Sequence, residues 1–287
     1  GNSASATQII VVEDTTSPVI ETPESIVSNA ITKLNNILIL DEISVIDSIS
    51  EVEITNDAPS YYEFGETIVT WTATDSSGNS ASATQSITII DTSAPILTVP
   101  ENITIDAVNI ETFIEVGLAS AEDIIDNSPT IIHDAPEVFP LGETIVTWTA
   151  TDKFGNISSS IQTISVQACG NPFTYYNMIV GSEYDDMLFG TTLSDLIFAN
   201  GGDDVIFGDK GNDCIMGGDG NDIIFGNEGN DNLSGEIGND IIKGNSGEDS
   251  IFGGFGLDMI DGGDDFDTCK IIDEQNFDIM IKCESNE

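Results

Sequence analysis

The chain has no arginine. Six lysines face 51 aspartates and glutamates, and 287 residues contain one histidine, for a formal charge of −45. Such a surface repels nucleic-acid phosphates and anionic lipid headgroups, so neither is an expected partner. No apolar run is long enough to cross a bilayer, and membrane insertion is not expected. The four cysteines, Cys169, Cys214, Cys269 and Cys283, lack the CxxC spacing of zinc and redox sites. That leaves structural disulfides in an oxidising compartment, with buried free thiols as the alternative. No HExxH and no nucleophile motif accompany His133, which stands beside Asp134 and reads as a surface or loop residue. A glycosidase-type carboxylate pair is a further enzymatic reading, but the acids follow a repeat or lie on solvated strands. No catalytic residue is assigned and no enzyme is expected. No signal peptide is visible. The chain opens at Gly1 in mid-pattern and is expected to be a processed or excised piece.

What is present is a 39% hydrophobic content, enough for packed cores, in a length that suits two or three domains. So large a negative charge needs salt, bound cations or an elongated shape to be compatible with a compact fold. Two internal repeats organise the chain, a long one and a short one. In the long repeat, Phe64–Asp75 recurs without a gap as Leu141–Asp152. The same shift carries Asp14 to Asp91, Pro18 to Pro95, Asp57 to Asp134 and Trp71 to Trp148, and lays the opening Gly1–Gln8 onto Gly78–Gln85. Runs such as Thr67–Thr74 are rich in β-branched and aromatic residues, and Asp75–Asn79 and Asp152–Asn156 are turns that join strands into hairpins. Each copy therefore predicts a small antiparallel sandwich with its tryptophan in the core.

These copies resemble the hyalin repeat (HYR) family, through Thr16-Ser-Pro18 and Ala94-Pro95 at the start and the Gly-Glu-Thr-Ile-Val-Thr-Trp-Thr-Ala-Thr-Asp run at the end. The resemblance implies immunoglobulin-like sandwiches, an extracellular or adhesive setting and no catalytic residues. The expected division is 1–14 as the last strand of a truncated preceding copy, then sandwiches at 15–91 and 92–168, then a distinct segment at 169–287.

In that last segment the period drops to nine. Ten blocks run without a slip from Gly181 to Lys270. Their sixth position is always aspartate: Asp186, Asp195, Asp204, Asp213, Asp222, Asp231, Asp240, Asp249, Asp258 and Asp267. The eighth is Leu or Ile in nine blocks and Cys269 in the last. Nine residues divide into a six-residue loop and a three-residue strand with one aliphatic side chain inward. Two blocks make a coil, and stacked coils make a parallel solenoid with a narrow Leu/Ile core. Glycines let the loops turn their carbonyls inward, and two stacked loops then offer about six hard oxygen ligands, the number Ca²⁺ requires. Without a cation, carboxylates stacked at ~5 Å would repel by several kcal/mol at an effective dielectric of ~20.

The run resembles the RTX (haemolysin-type calcium-binding) nonapeptide family, most closely at Gly217–Phe225 and Gly208–Met216. The resemblance implies a parallel β-roll, making the chain all-β, with Ca²⁺ held between each block and the next but one. Ten blocks allow at most about eight such ions. It gives the ten aspartates the role of carboxylate ligands. Carbonyl ligands are then expected from Gly208, Gly211, Gly217, Gly218, Gly220, Gly226, Gly229, Gly235, Gly238, Gly244, Gly247, Gly253 and Gly256. The blocks at 181 and 190 lack the fourth-position glycine and block 262 carries Asp265 there, so sites at the ends are expected to be weak, altered or empty. Residues 170–180 and 271–287 are read as caps over the two ends. Cys269 and Cys283 would staple the second cap, and Cys214, at an outward seventh position, could meet Cys169.

The expected function is a calcium-stabilised extracellular or cell-surface structural or adhesive protein. Its expected partners are calcium and other surface proteins, glycans or further copies of itself. Two alternatives are a calcium-triggered secretion and folding module of a larger secreted enzyme or toxin, and a filament subunit assembled by strand addition through residues 1–14. Affinity per site is expected on the order of 10⁻⁴–10⁻³ M. Asp14, Asp75, Asp91 and Asp152 fall near sandwich ends, where turn chemistry explains them and an inter-domain Ca²⁺ is the alternative.

Overall fold

The computed structural model describes residues 3–107, 109–270 and 278–286. Apart from one turn of 3₁₀ helix at Phe173–Tyr175, every regular element among them is a strand, so the fold is all-β. Two compact units are present. One comprises Gly1–Thr98, Ser120–Ile132 and Thr149–Ser159, the other Val99–Ala119, His133–Trp148 and Ser160–Glu287.

The strands expected from the long repeat are formed. Ile26–Asn29, Ser80–Ile90, Gly65–Asp75 and Val52–Asn56 make a four-stranded sheet in that order, with the first pair parallel and the others antiparallel. Ile103–Asp106, Ile157–Gln167, Gly142–Thr151 and Thr130–His133 repeat the order. Alternation along Gly65–Asp75 puts Val69, Trp71, Ala73 and Asp75 on the buried face. Both tryptophans are core residues, as expected, and each indole N–H donates to a buried glutamine: Trp71 to Gln85 at 3.0 Å, Trp148 to Gln162 at 3.1 Å. Each glutamine donates in turn to a backbone carbonyl, of Glu24 and of Glu101. A buried polar pair without such partners would be costly, which accounts for glutamine at both places. No strand is formed between residues 3 and 18, and Ile9, Ile10, Val11 and Val12 are exposed.

From Asn177 the chain coils into a solenoid with two parallel sheets. One has seven strands, from Asn177–Val180 to Ser285–Asn286; the other has six, from Met187–Phe189 to Ile279–Ile281. Within each, a residue pairs with its counterpart two blocks on, as in Ile206↔Ile224 and Ile215↔Leu233, so one coil is two nonapeptides. The eighth-position side chains Ile197, Ile206, Ile215, Ile224, Leu233, Ile242, Ile251, Ile260 and Cys269, contributed alternately by the two sheets, form one buried cluster, with Ile179, Leu188, Met280 and Cys283 packed against it. The interior strands are six residues long rather than three, because pairing resumes beyond the first-position glycine: Phe207↔Phe225 is followed by Asp209↔Asn227. Residues 177–180 and 279–286 add strands to the ends of the sheets instead of lying across them. Cys169 is bonded to Cys214 and Cys269 to Cys283.

A core with one aliphatic side chain per nonapeptide has few neighbours to close over a gap. Ile224→Ala is therefore expected to lower the roll's stability by about 2–5 kcal/mol. Ile237→Ala, at an exposed position, should stay within about 0.5 kcal/mol. Denaturant unfolding of both variants in excess calcium, followed by amide exchange of residues 205–260, measures the difference.

Candidate metal centre

The sixth-position aspartates from Asp195 to Asp267 are all buried, at 0–2% exposure. Their two oxygens have different fates. The Oδ1 of each aspartate from Asp204 to Asp267 accepts the backbone N–H of the aspartate two blocks earlier, at 2.7–2.9 Å. Each carboxylate thus ties its own coil to the preceding one. The Oδ2 atoms of Asp204, Asp213, Asp222, Asp231, Asp240, Asp249, Asp258 and Asp267 are buried with no hydrogen-bond partner. Eight charged oxygens in that state carry a large desolvation cost unless something positive joins them.

The first-position glycines keep a space open beside these atoms. A Cβ at Gly217 would stand against Oδ2 of Asp222 and 2.8 Å from the Gly235 carbonyl oxygen, and one at Gly226 against Oδ2 of Asp231 and 2.9 Å from the Gly244 carbonyl. The same pairing of carboxylate and carbonyl occurs at Gly208, Gly235 and Gly244. Carboxylate and carbonyl oxygens converging on one point are the donor set of a hard cation such as Ca²⁺. The fourth-position glycines Gly211, Gly220, Gly229, Gly238, Gly247 and Gly256 all have positive φ, and a Cβ on any of them would strike backbone of the loop two blocks earlier. Gly218 is likewise left-handed, against the Asn200 carbonyl, and Gly253 stands beside Asp258.

At the ends the arrangement changes. Oδ2 of Asp186 is taken by the amide and hydroxyl of Ser182, and Oδ2 of Asp195 by those of Thr191. A second-position residue with a hydroxyl thus closes the space that an open loop leaves. At the other end the acids lie off the period. Asp278, 20 residues after Asp258, and Glu284, 17 after Asp267, accept the N–H groups that a further repeat would have capped. The strict nonapeptide register missed both. It also missed the left-handed second position, where Asn200, Asp209, Asn227, Glu236 and Asn245 have φ of 74–80°. Four of those five are Asn or Asp, the types that tolerate this conformation, and that was the available signal.

Burial sets the electrostatics. It pushes the carboxyls of Asp213, Asp240 and Asp249 up to about 7 and those of Asp222 and Asp231 to about 6, against the opposing backbone hydrogen bond. Neighbouring carboxylates add to the rise at all but Asp231. Glu236 is raised to about 7, by burial first and then by Asp219 and Asp222.

The sandwiches hold two smaller acidic groups: Asp14, Asp47 and Asp75, and Asp91, Asp123 and Asp152. The constant shift of the long repeat sets Asp47 over Ile124 and hides the correspondence of Asp47 with Asp123. The short ladders reveal it, since Val19 pairs with Ile46 and Ile96 pairs with Glu122. His133 is exposed, accepts the Ala135 N–H at Nδ1 and lies 4.6 Å from the Trp148 ring.

With the site's geometry in place, its class is defined: the RTX calcium-binding nonapeptide repeat model matches residues 180–215, 211–242 and 234–269, and the HYR domain model matches residues 13–89. The chain thus carries a segment that matches a HYR domain, followed by RTX calcium-binding repeats. Among individual proteins, it is 32% identical to hyalin of Strongylocentrotus purpuratus over 180 residues, 58% of this chain and 15% of that protein. It is 36% identical to hyalin of Lytechinus variegatus over 113 residues, 37% of this chain and 21% of that protein. The chain therefore spans a small part of the relatives it matches. The solved structure of Drosophila N-cadherin EC1-4 aligns at 14% identity and a TM-score of 0.32, over 53% of this chain and 50% of its own.

In the unfolded chain these aspartates titrate near ~3.9. Between about pH 4 and 7 the metal-free roll holds protons that the unfolded chain has released, so its stability falls as pH rises through that window. After chelation, residues 205–260 are expected to be better protected from amide exchange at pH 5 than at pH 8, once intrinsic rates are corrected. With saturating calcium the order should reverse, because the cation competes with those protons. Equal protection at both pH values without calcium would contradict the buried-carboxylate account.

Proposed function

We propose that this chain is a calcium-binding extracellular structural or adhesive protein whose β-roll is completed by calcium ions seated between stacked loops. The observation that carries this reading is the row of eight buried Oδ2 atoms without partners, one per block from Asp204 to Asp267. Their number matches the ceiling of eight ions expected from ten blocks. The ligands in this reading are those carboxylates and the loop carbonyls, including the glycines named from the sequence. Asp186 and Asp195, closed by Ser182 and Thr191, act as hydrogen-bonded ends. Bound calcium supplies positive charge and oxygen coordination, removing the repulsion and desolvation that the loops otherwise carry. Because the ions bind the folded roll and not the unfolded chain, their binding free energy becomes folding free energy.

The partial identity to hyalin supports an extracellular, adhesive setting, and no helix among the described residues is long and apolar enough to cross a membrane. In the domain division we propose, sandwiches at 15–91 and 92–168 lead into a roll at 169–287.

Circular dichroism of the full chain, titrated with Ca²⁺ after chelation and with Mg²⁺ as control, tests the reading. A cooperative gain of β signal with Ca²⁺ alone is expected, and a spectrum indifferent to chelator would overturn it. Asp222→Ala and Asp231→Ala should shift the calcium midpoint upward about tenfold, equivalent to about 1.4 kcal/mol. Asp186→Ala should shift it less than about twofold, or under about 0.4 kcal/mol. Equal shifts at both places would mean that the closed ends bind as the middle does.

A further inference from the structure

We propose that Asp91, Asp123 and Asp152 hold one calcium ion, separate from those of the roll. Each of the three offers a carboxylate oxygen, and the three oxygens lie within 4.8 Å of one another. Ligands on opposite sides of a Ca²⁺ ion stand about 5 Å apart, since each bond is about 2.3–2.6 Å. The three oxygens therefore fit one coordination sphere.

An acidic cluster at a turn is ordinary, and here turn chemistry accounts for only part of it. Oδ1 of Asp91 accepts the Ser93 N–H at 3.0 Å, and Oδ1 of Asp123 accepts those of Ile125 and Asp126 at 2.9 and 2.7 Å. Oδ1 of Asp152 accepts those of Phe154 and Asn156, both at 2.8 Å. Those bonds fix where each carboxylate points. What they leave over is the second observation: Asp91 is 8% exposed, and its Oδ2 is buried with no partner, as is Oδ2 of Asp123. A carboxylate that is more than nine-tenths buried and has a bare oxygen needs a cation, a proton or a donor. Among the described residues no lysine forms an ion pair with any of the three, and Lys153, next to Asp152, lies over the Phe154 ring. The nearby donor is Asn156, whose Nδ2 bonds Oδ2 of Asp152 at 2.7 Å and the Asp91 carbonyl at 3.3 Å. It clamps two of the ligand residues together and leaves the open oxygens of Asp91 and Asp123 free.

The scaffold is not an accident of one loop. Asp14, Asp47, Asp75 and Asn79 repeat it, with Asn79 bonding Asp75 and the Asp14 carbonyl, and Asp47 accepting from Ile49 and Ser50. That copy has no partnerless buried oxygen, and the proposal rests on the second.

Amide exchange on the full chain, stripped with chelator and then given Ca²⁺ or Mg²⁺, reads this site and the roll separately. At calcium ten times the site's Kd, exchange at Ser93, Ile125, Asp126, Phe154 and Asn156 should slow about tenfold, by the factor 1 + [L]/Kd. Asp123→Asn keeps the Oδ1 acceptor and removes the charge; Asp91→Asn does the same at a buried position. Either variant should abolish the slowing at those amides and leave that of residues 205–260 intact. The proposal is overturned if calcium slows the roll but not these five amides in the unaltered chain, or if their slowing survives both substitutions. Slowing of these amides without any in the roll would instead overturn the proposed function and leave this site standing. If a variant does not fold, the unaltered chain decides.

Discussion

The structure depends on a carboxylate that is half satisfied. In each interior nonapeptide one aspartate oxygen is bonded to the backbone of the coil below, and the other is buried with nothing to accept. The first oxygen fixes the stacking distance of the coils. The second makes that stacking unfavourable unless charge is supplied. Hydrogen bonding and desolvation thus pull against each other at the same side chain, eight times in a row, and the outcome depends on what is dissolved around the protein.

The hydrophobic core cannot settle that contest alone. It consists mainly of one Leu or Ile per nonapeptide, contributed alternately by the two sheets, and a narrow core buries little apolar surface per residue. The two disulfides act near the ends, joining Cys169 to Cys214 and Cys269 to Cys283. Between them, the middle coils are held by backbone ladders, the aliphatic core, asparagine side chains bonded from coil to coil and the loop acids. In the sandwiches the tryptophan-bearing cores are balanced differently. There the core is broader, and the buried polar groups Gln85 and Gln162 are satisfied from within the fold.

Each nonapeptide position has a physical reason that the stacked coils make visible. The eighth must be apolar because it faces the core. The first is glycine in nine of the ten blocks, Ala199 being the exception, because a Cβ there would occupy the space shared by a carboxylate and a carbonyl. In the interior blocks the fourth is glycine because it is left-handed and pressed against the loop before it. The second needs only left-handed geometry, so asparagine, aspartate and once glutamate serve. Where the rule relaxes, as at Ser182 and Thr191, a hydroxyl fills the loop and closes it.

The periodic features were legible in the sequence because they are enforced at every repeat. The nonapeptide register revealed the solenoid, the ten aspartates, the aliphatic core and the glycine loops, and the long repeat revealed the sandwich strands and the buried tryptophans. Whatever depends on which oxygen points where was not legible. Sequence cannot tell an aspartate whose second oxygen is bare from one closed by Ser182, since both occupy the same sixth position. Nor does it disclose that Asp278 and Glu284 replace repeat aspartates at unequal spacings, or that Asp123 rather than Ile124 answers Asp47. Those are outcomes of side-chain direction and of small register slips, which only the folded chain decides, because hydrogen bonds form by distance in space and not by position along the chain.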